Sequence, residues 1–401
     1  MRNRSPAPPA AALRARVFGA GPTGALAALA LARSGWSVEL DDPQPPQALL
    51  NRSRAYALTH SSAELLAALD LWEPLREHLI PFTRLELSDR ALHRQVSFMA
   101  SDLSAQRSRV DPEAVGWILQ HQPLMALLLS ALEQQSAIQL SLGVEPGSSA
   151  GDPGKVLNAV PVDLVVAADG HQSSRRKAAG IAQCQRPYLQ GCLTVQVRLR
   201  GSGADQAWEL FRPEGPFAVL PLGGDAFQLV WSAPLPRLQR LEQLDPAAFL
   251  DALSAVLPEP LQAEVLLDQP RAFPVALEWA WPLRKRNLVL VGEAAHRSHP
   301  VGGQGLNLCW RDVAVLQDLA RQVRAGRLKP SQLPGRYVRR RWLDITLVLI
   351  ATDALVRLFS NRQPLLLPLR RLSLLLLARF GWLRGVCLSA MSDGPCRLRW
   401  P

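Results

Sequence analysis

Residues 292–312 read GEAAHRSHPVGGQGLNLCWRD. The short, mainly apolar run before them, Asn287 to Val291, suits a buried strand. His299, Pro300, Gly302, Gly303 and Gly305 then make a loop hostile to helix, and from Leu306 to Arg324 an apolar pattern returns that fits a helix of several turns. A strand feeding a glycine-rich loop at a helix start presents unpaired backbone N–H groups, and such a nest accepts an anion. The rest of the chain indicates which anion.

A second glycine loop lies near the N-terminus. Arg16 to Phe18 reads as a strand, GAGPTG follows at 19–24, Ala25 to Arg33 is a run of helix formers ending at Ser34 and Gly35, and Ser37 to Leu40 is a second strand. Gly19, Gly21 and Gly24 fit G-x-G-x-x-G in the strand and helix context that a dinucleotide needs. In that reading Gly19 allows the tight turn, Gly21 lets the backbone approach a pyrophosphate, Gly24 packs the helix closely, and Asp42, or Asp41 one residue earlier, accepts from a ribose hydroxyl. An acidic partner favours a free 2′-hydroxyl, which leaves NAD and FAD open.

With 401 residues, 48% of them apolar, the chain suits two interleaved domains better than one simple core. The cysteines Cys184, Cys192, Cys309, Cys387 and Cys396 show neither C-x-x-C nor Cys/His spacing, so the sequence suggests no disulfide framework and no metal site, and a reducing cytoplasmic setting fits. Residues 1–16 are basic and rich in Pro and Ala, but the segment after them is the glycine loop and not an export signal. No run reaches the roughly 18 uninterrupted apolar residues of a membrane-spanning helix. Net charge is +11, and residues 321–401 alone hold 16 Arg or Lys against Asp344, Asp353 and Asp393. That basic segment is leucine-rich and lacks an interleaved aromatic reading surface, which argues against nucleic acid.

Ala63 to Leu79 and Pro123 to Gln135 read as amphipathic helices, and Val162 to Ala167 as a strand buried on both faces. From Leu189 the pattern alternates, with Leu193, Val195, Val197 and Leu199 on one side. More strands are expected at Ala207 to Phe211, Phe217 to Leu222, Phe227 to Trp231 and Arg271 to Ala276, with a helix near Ala247 to Val256. Beyond about residue 330 the pattern is helical, with Pro364 and Pro368 as breaks.

Two further motifs join the N-terminal loop. Ala168 to Arg176, ADGHQSSRR, is similar to A-D-G-x-x-S-x-x-R, and the opening stretch is similar to G-D-A-A-H-x-x-x-P-x-x-G-Q-G-x-N-x-G-x-x-D. With these motifs in this order the chain, from Arg16 to about Ala390, resembles the ubiquinone-biosynthesis hydroxylase family of single-component FAD-dependent aromatic monooxygenases. The resemblance implies an α/β fold in which a Rossmann-like FAD-binding domain of the para-hydroxybenzoate hydroxylase type is interleaved with an antiparallel β-sheet substrate domain and followed by a C-terminal helical segment. The expected division is a disordered basic N-terminus over 1–13, the FAD-binding domain over 14–80, 105–185 and 285–330, the substrate domain over 81–104 and 186–284, and the helical segment over 331–401.

The same resemblance implies the cofactor and its contacts. Asp169 and Gly170 would lie near the pyrophosphate in a segment implicated in nicotinamide-cofactor binding. Glu293 would meet the ribityl chain, and Gly292, Pro300, Gly303, Gln304, Gly305, Leu306 and Asn307 would shape the loop whose backbone faces the flavin pyrimidine ring. Arg54 in RSRAYAL resembles an early arginine beside the flavin, and Gln122 in LQHQPL stands where Arg or Asn is more usual. Glu293 replaces an Asp and Cys309 a Gly of the pattern. The implied chemistry is reduction of FAD by NAD(P)H, addition of molecular oxygen at flavin C4a, and transfer of hydroxyl from the C4a-hydroperoxyflavin to a lipophilic aromatic ring such as a prenylated phenol or quinone precursor.

No catalytic residue is assigned from the sequence. His296 and His299 are acid/base candidates, but the motif uses this stretch mainly for shape. Other FAD oxidoreductases of the same fold, prenyl reductase or halogenase-like, or a flavin- or prenyl-lipid-binding protein with impaired turnover, stand as alternatives. Leu365 to Phe380 alternates leucine-rich turns with Arg370, Arg371 and Arg379, which fits either a helix lying on the cytoplasmic face of an anionic membrane or a packed helix with a solvated basic face.

Overall fold

A computed structural model of the chain describes residues 13–103, 110–143, 162–201, 203 and 205–397; of the N-terminal segment expected to be disordered, all but Leu13 lies outside the described residues. A six-stranded sheet runs in the spatial order Arg284–Lys285, Leu288–Leu290, Leu164–Ala167, Arg14–Phe18, Ser37–Asp42, Ile138–Leu142. Every neighbouring pair but the first is parallel. The central strands are covered on both faces, which is why LVVA and LVL are unbroken apolar runs. Helix Pro22–Arg33 packs against Gln304–Arg324 and His121–Gln134 and buries Leu26, Leu29 and Leu31.

A nine-stranded sheet follows the order His296–Arg297, Arg271–Trp281, Ala182–Arg200, Ala226–Pro234, Phe217–Pro221, Gln206–Phe211, Arg84–Asp89, Arg94–Met99, with Gln262–Leu266 also pairing on Ala182–Arg200. It is antiparallel except where Gln206–Phe211 meets Arg84–Asp89. Leu193, Val195, Val197 and Leu199 all enter one core beneath helices Leu235–Glu242 and Pro246–Ser254. The strand they belong to starts at Ala182, not near Leu189, because its pairing with Arg271–Trp281 resumes across a register shift between Pro187 and Gly191. A small third sheet joins Ala55–Leu58, Gly116–Gln120 and Leu79–Phe82, and the boundary expected between residues 80 and 81 cuts that last strand.

Two segments differ from the expected pattern. Ala63 to Leu79 is not one helix: His60–Ala68 ends before Asp70, whose φ of 48° no helix tolerates, and Trp72–Leu75 and a 3₁₀ turn at Arg76–His78 follow. Pro368 starts a helix and does not break one, because it sits in the first turn of Leu367–Arg379, where its missing N–H leaves no bond unmade. The C-terminal part consists of helices Leu333–Phe359, Leu367–Arg379 and Gly381–Asp393. Among the described residues no single helix is long and apolar enough to cross a membrane; Pro364–Arg379 and Gly381–Asp393 reach that measure only together, bent by 102°.

Candidate active site

Between the parallel sheet and the large antiparallel sheet lies a cavity of about 740 Å³, within the usual size of a ligand site. Gly19, Gly21, Asp42, Arg54, Asp169, Gly170, Glu293, Pro300, Gly303, Gln304, Gly305, Leu306 and Asn307 all line it. Gly24, Gln122 and Gly292 do not.

The glycines divide into two groups. A Cβ on Gly24 would stand 1.8 Å from the Gly19 carbonyl oxygen, and one on Gly19, at φ +99°, would stand 2.4 Å from that of Ala168. Those two are consumed by packing of strand, turn and helix. Cβ atoms on Gly21, Gly170 and Gly305 would meet nothing within 4 Å, so at these three positions bare backbone faces the cavity. Asp42 lies against the first loop, its Oδ2 accepting the Ala20 N–H at 2.7 Å and its Oδ1 the Gln44 N–H at 2.8 Å. Asp41 is engaged by Arg16 at 2.7 Å.

In the middle motif Ser173 caps Ser174–Ala178 by accepting the Arg176 N–H at 2.9 Å. Arg176 itself is buried and donates to the carbonyls of His171 and Ala294, each at 2.9 Å, so the motif arginine ties the second motif to the third. Burial lowers its pKa. Arg175 turns to the cavity and lies 3.8 Å from the centre of the Phe18 ring.

The third motif is held by two polar hubs. Asn307 donates to the Ala57 carbonyl at 2.7 Å and the Gly303 carbonyl at 2.8 Å, while its oxygen accepts from the Thr59 N–H at 3.0 Å and the Ser62 hydroxyl at 2.7 Å. Its side chain is fully used inside the protein. Asp312 accepts the Gly292 N–H at 2.9 Å and faces His296 Nε2 at 2.8 Å. Gly302 and Gly303 adopt φ of +68° and +62°, which turns the loop so that helix Gln304–Arg324 starts at the cavity wall. The helix start brings about half a positive charge to that wall.

His299 does not line the cavity. Burial holds it down at about 4, hence neutral, and its Nδ1 accepts the Val301 N–H at 3.2 Å. His299 therefore serves the shape of the loop, while His296, tied to Asp312, also lines the cavity. Gln122 is exposed, because helix His121–Gln134 turns His121 inward instead. His121 Nε2 lies 2.7 Å from the Leu49 carbonyl, an acceptor only, so Nδ1 accepts from the Tyr56 hydroxyl at 2.7 Å. Burial lowers the His121 pKa and raises that of Tyr56. Arg54 lies over the Tyr56 ring at 5.1 Å.

Of the lining residues that sequence reasoning missed, one is an acid. Glu209, in Gln206–Phe211, is buried and its carboxyl is pushed up to about 7 by that burial, against a lowering from its bond to the Gly302 N–H. The only signal was an acid between apolar neighbours in a strand otherwise made for a core.

The residues suit FAD. A polar ligand would find backbone exposed at Gly21, Gly170 and Gly305, and it would find buried atoms without partners among the described residues at Asp169 Oδ1, Ser298 Oγ and Gln304 Oε1, three residues that all line the cavity. A family model described as an FAD binding domain matches residues 13–341. The chain is 30% identical to 3-demethoxyubiquinol 3-hydroxylase of Escherichia coli over 93% of this chain and 96% of that protein. It is 33% identical to ubiquinone hydroxylase UbiL of Rhodospirillum rubrum over 92% of this chain and 86% of that one. The solved structure of p-nitrophenol 4-monooxygenase from Pseudomonas putida shares the fold at a TM-score of 0.72 and 16% identity, covering 96% of this chain and 99% of that one. With fold, cavity and motifs in agreement, the chain belongs to the FAD-dependent aromatic hydroxylases of the ubiquinone-biosynthesis family.

Proposed function

We propose that this hydroxylase acts on an electron-rich phenol bearing an apolar, prenyl-type tail, a ubiquinone precursor or a close chemical relative. The observation that carries the reading is the two-sided cavity. Its parallel-sheet wall carries bare backbone and charged side chains, among them Asp42, Asp169, Glu293, Arg54 and Arg175, while its antiparallel wall offers Leu85, Leu87, Phe98, Phe211, Val230 and Phe273. The chemistry that bound FAD would supply is reduction by NAD(P)H and activation of molecular oxygen. The protein's part is to hold the ring beside the flavin and keep water out. Asp42 would hold the adenosine ribose, Gly21, Asp169 and Gly170 the pyrophosphate, Glu293 the ribityl chain, and the N–H groups of residues 303–307 the pyrimidine edge. Arg54 would stand beside the ring system.

The site also suggests where the substrate comes from. Leu365, Leu369, Leu372 and Trp382 are 89%, 52%, 52% and 59% exposed beside the exposed Arg371 and Arg379. An apolar strip flanked by arginines favours peripheral attachment to an anionic membrane, where a prenylated substrate resides.

The test is to purify the protein, record its flavin spectrum, and measure NAD(P)H oxidation with and without prenylated phenols. A parallel mass analysis identifies the quinone precursor that accumulates when the gene is deleted. Bound flavin with phenol-stimulated turnover supports the reading. Turnover indifferent to every phenol, or no accumulating aromatic precursor, overturns it.

A further inference from the structure

We propose that Glu209 receives the hydroxyl of the phenol substrate and takes its proton, making Glu209 the catalytic base of the hydroxylation. The inference rests on the phenol reading above and adds the residue that activates the ring.

Along Gln206–Phe211 the side chains of Trp208 and Leu210 enter the core under the helices, while Ala207, Glu209 and Phe211 line the cavity. Register places Glu209 beside Leu87 on one side and Ala218 on the other, and Ala218 beside Val230. Among the described residues Glu209 is the only carboxylic acid that the antiparallel sheet gives to the cavity. A buried acid in an apolar row needs a reason, because desolvation disfavours its charge.

The second observation is what Glu209 touches. Its Oε2 accepts the N–H of Gly302 at 3.3 Å, in the loop that turns into the flavin-facing helix. That is its only hydrogen bond among the described residues, so Oε1 has no protein partner. The carboxylate therefore spans the two walls: one oxygen is fixed to the flavin-side loop and the other is free on the substrate side. A ring placed for oxidation beside that loop brings a hydroxyl within reach of the free oxygen.

The surrounding charges leave this group unneutralised. Cys192, on the neighbouring part of the sheet, is itself neutral, its thiol pushed up to about 12 by burial. Arg297 lies toward Glu278 at 3.6 Å, and His296 is engaged by Asp312. The bond from Gly302 is the one influence that lowers the Glu209 pKa, and burial outweighs it to leave the carboxyl at about 7. A base with a pKa near the working pH transfers protons most effectively.

The phenol O–H bond breaks, its proton goes to Glu209 Oε1, and the electron pair stays on the phenolate oxygen, where it enriches the ring carbons ortho and para to it. Oxygen and NAD(P)H remain the oxidant and reductant. The proton leaves with the product or to solvent when the site opens.

The test uses full-length holoprotein. Glu209→Gln keeps an oxygen to accept the Gly302 N–H but cannot take a proton, so FAD content and thermal stability should match wild type. Its kcat/KM for phenol hydroxylation should fall roughly 10²- to 10⁴-fold. The rising limb of the pH profile near 7, present in wild type because only the carboxylate is a base, should vanish. Glu209→Asp should retain that limb at a reduced rate. Equilibrium dialysis of 2-prenyl-4-nitrophenol against its methyl ether supplies a readout without turnover: wild type should prefer the phenol about tenfold or more, and Glu209→Gln should lose that preference. Wild-type rates and an intact pH limb in Glu209→Gln would reduce Glu209 to a loop anchor and overturn the proposal. Equal wild-type binding of phenol and ether overturns it as well. If no phenol is hydroxylated by wild type, the function reading fails, and the dialysis still decides whether Glu209 binds a phenol hydroxyl.

Discussion

Arg341 donates through Nε to Asp312 Oδ1 at 2.6 Å, and both side chains are buried. The pair joins helix Leu333–Phe359 to helix Gln304–Arg324, and through the other Asp312 oxygen it reaches Gly292 and His296. Helix Leu333–Phe359 thus fixes both ends of the glycine-rich loop. Burial alone would raise the Asp312 carboxyl, but the Arg341 guanidinium, His296 and the Gly292 N–H outweigh it and hold the group at about 2.

Replacing Asp312 by Asn should therefore cost about 3–5 kcal/mol, because a buried guanidinium loses a charged partner, and FAD should be released with the loosened loop. The acid dependence has a definite sign. The folded carboxyl titrates at about 2, below the ~3.9 of an unfolded Asp, so its contribution is complete above pH ~4 and disappears as pH falls toward 2. Circular dichroism across that window should show a shallower acid transition in Asp312→Asn than in wild type.

The two groups of glycines separate folding from binding. Gly24→Ala drives a methyl into the Gly19 carbonyl at 1.8 Å, so it should destabilise the protein and lose FAD together. Gly305→Ala and Gly21→Ala meet no protein atom within 4 Å and need no left-handed backbone, so the melting temperature should hardly change. If FAD occupies that space, both should still weaken its affinity at least tenfold, measured by dialysis of the apoprotein. Unchanged affinity would mean the cofactor lies elsewhere.

How far the site was readable follows from what each residue depends on. The glycine loops were legible because bare backbone and left-handed turns restrict the residue type locally, whatever the rest of the chain does. Gln122 was misplaced because the start of its helix sets which side chain turns inward, and His121 took that place. Glu209 was invisible because an acid in an alternating strand reads as solvent-facing, and only the second wall of the cavity makes it an interior group. The contacts of Arg176 with Ala294, and of Arg341 with Asp312, join segments 118 and 29 residues apart, a pairing no local pattern encodes.

Cys309, which departs from the family's glycine, has a local explanation. It is 3% exposed and lines the cavity, and a Cβ built on Gly292 would stand 3.4 Å from its sulfur, so the side chain packs against the loop at Gly292. Cys309→Gly should lower stability by about 2 kcal/mol, from helix propensity and the vacated volume, without tightening FAD. Thermal melts of holo- and apoprotein check both parts; a gain in FAD affinity would show instead that the cysteine obstructs the cofactor.

Membrane attachment by the C-terminal helices, as proposed, would make unequal use of their arginines. Arg370 is 1% exposed and donates through Nε to Asp89 at 2.8 Å, with its guanidinium 5.5 Å from the Phe359 ring, so it anchors Leu367–Arg379 to the sheet and cannot meet lipid. Arg371 and Arg379 are exposed beside Leu369 and Leu372 and are free to do so. At roughly 1 kcal/mol per arginine near an anionic surface, replacing both by Gln should weaken vesicle binding about 30-fold at low salt and far less at high salt. Replacing Leu369 and Leu372 by Glu should weaken it at both, while Arg370→Gln should instead lower the melting temperature. Cosedimentation with phosphatidylserine vesicles distinguishes these outcomes, and equal partitioning of wild type at low and high salt would argue that the basic face is simply solvated.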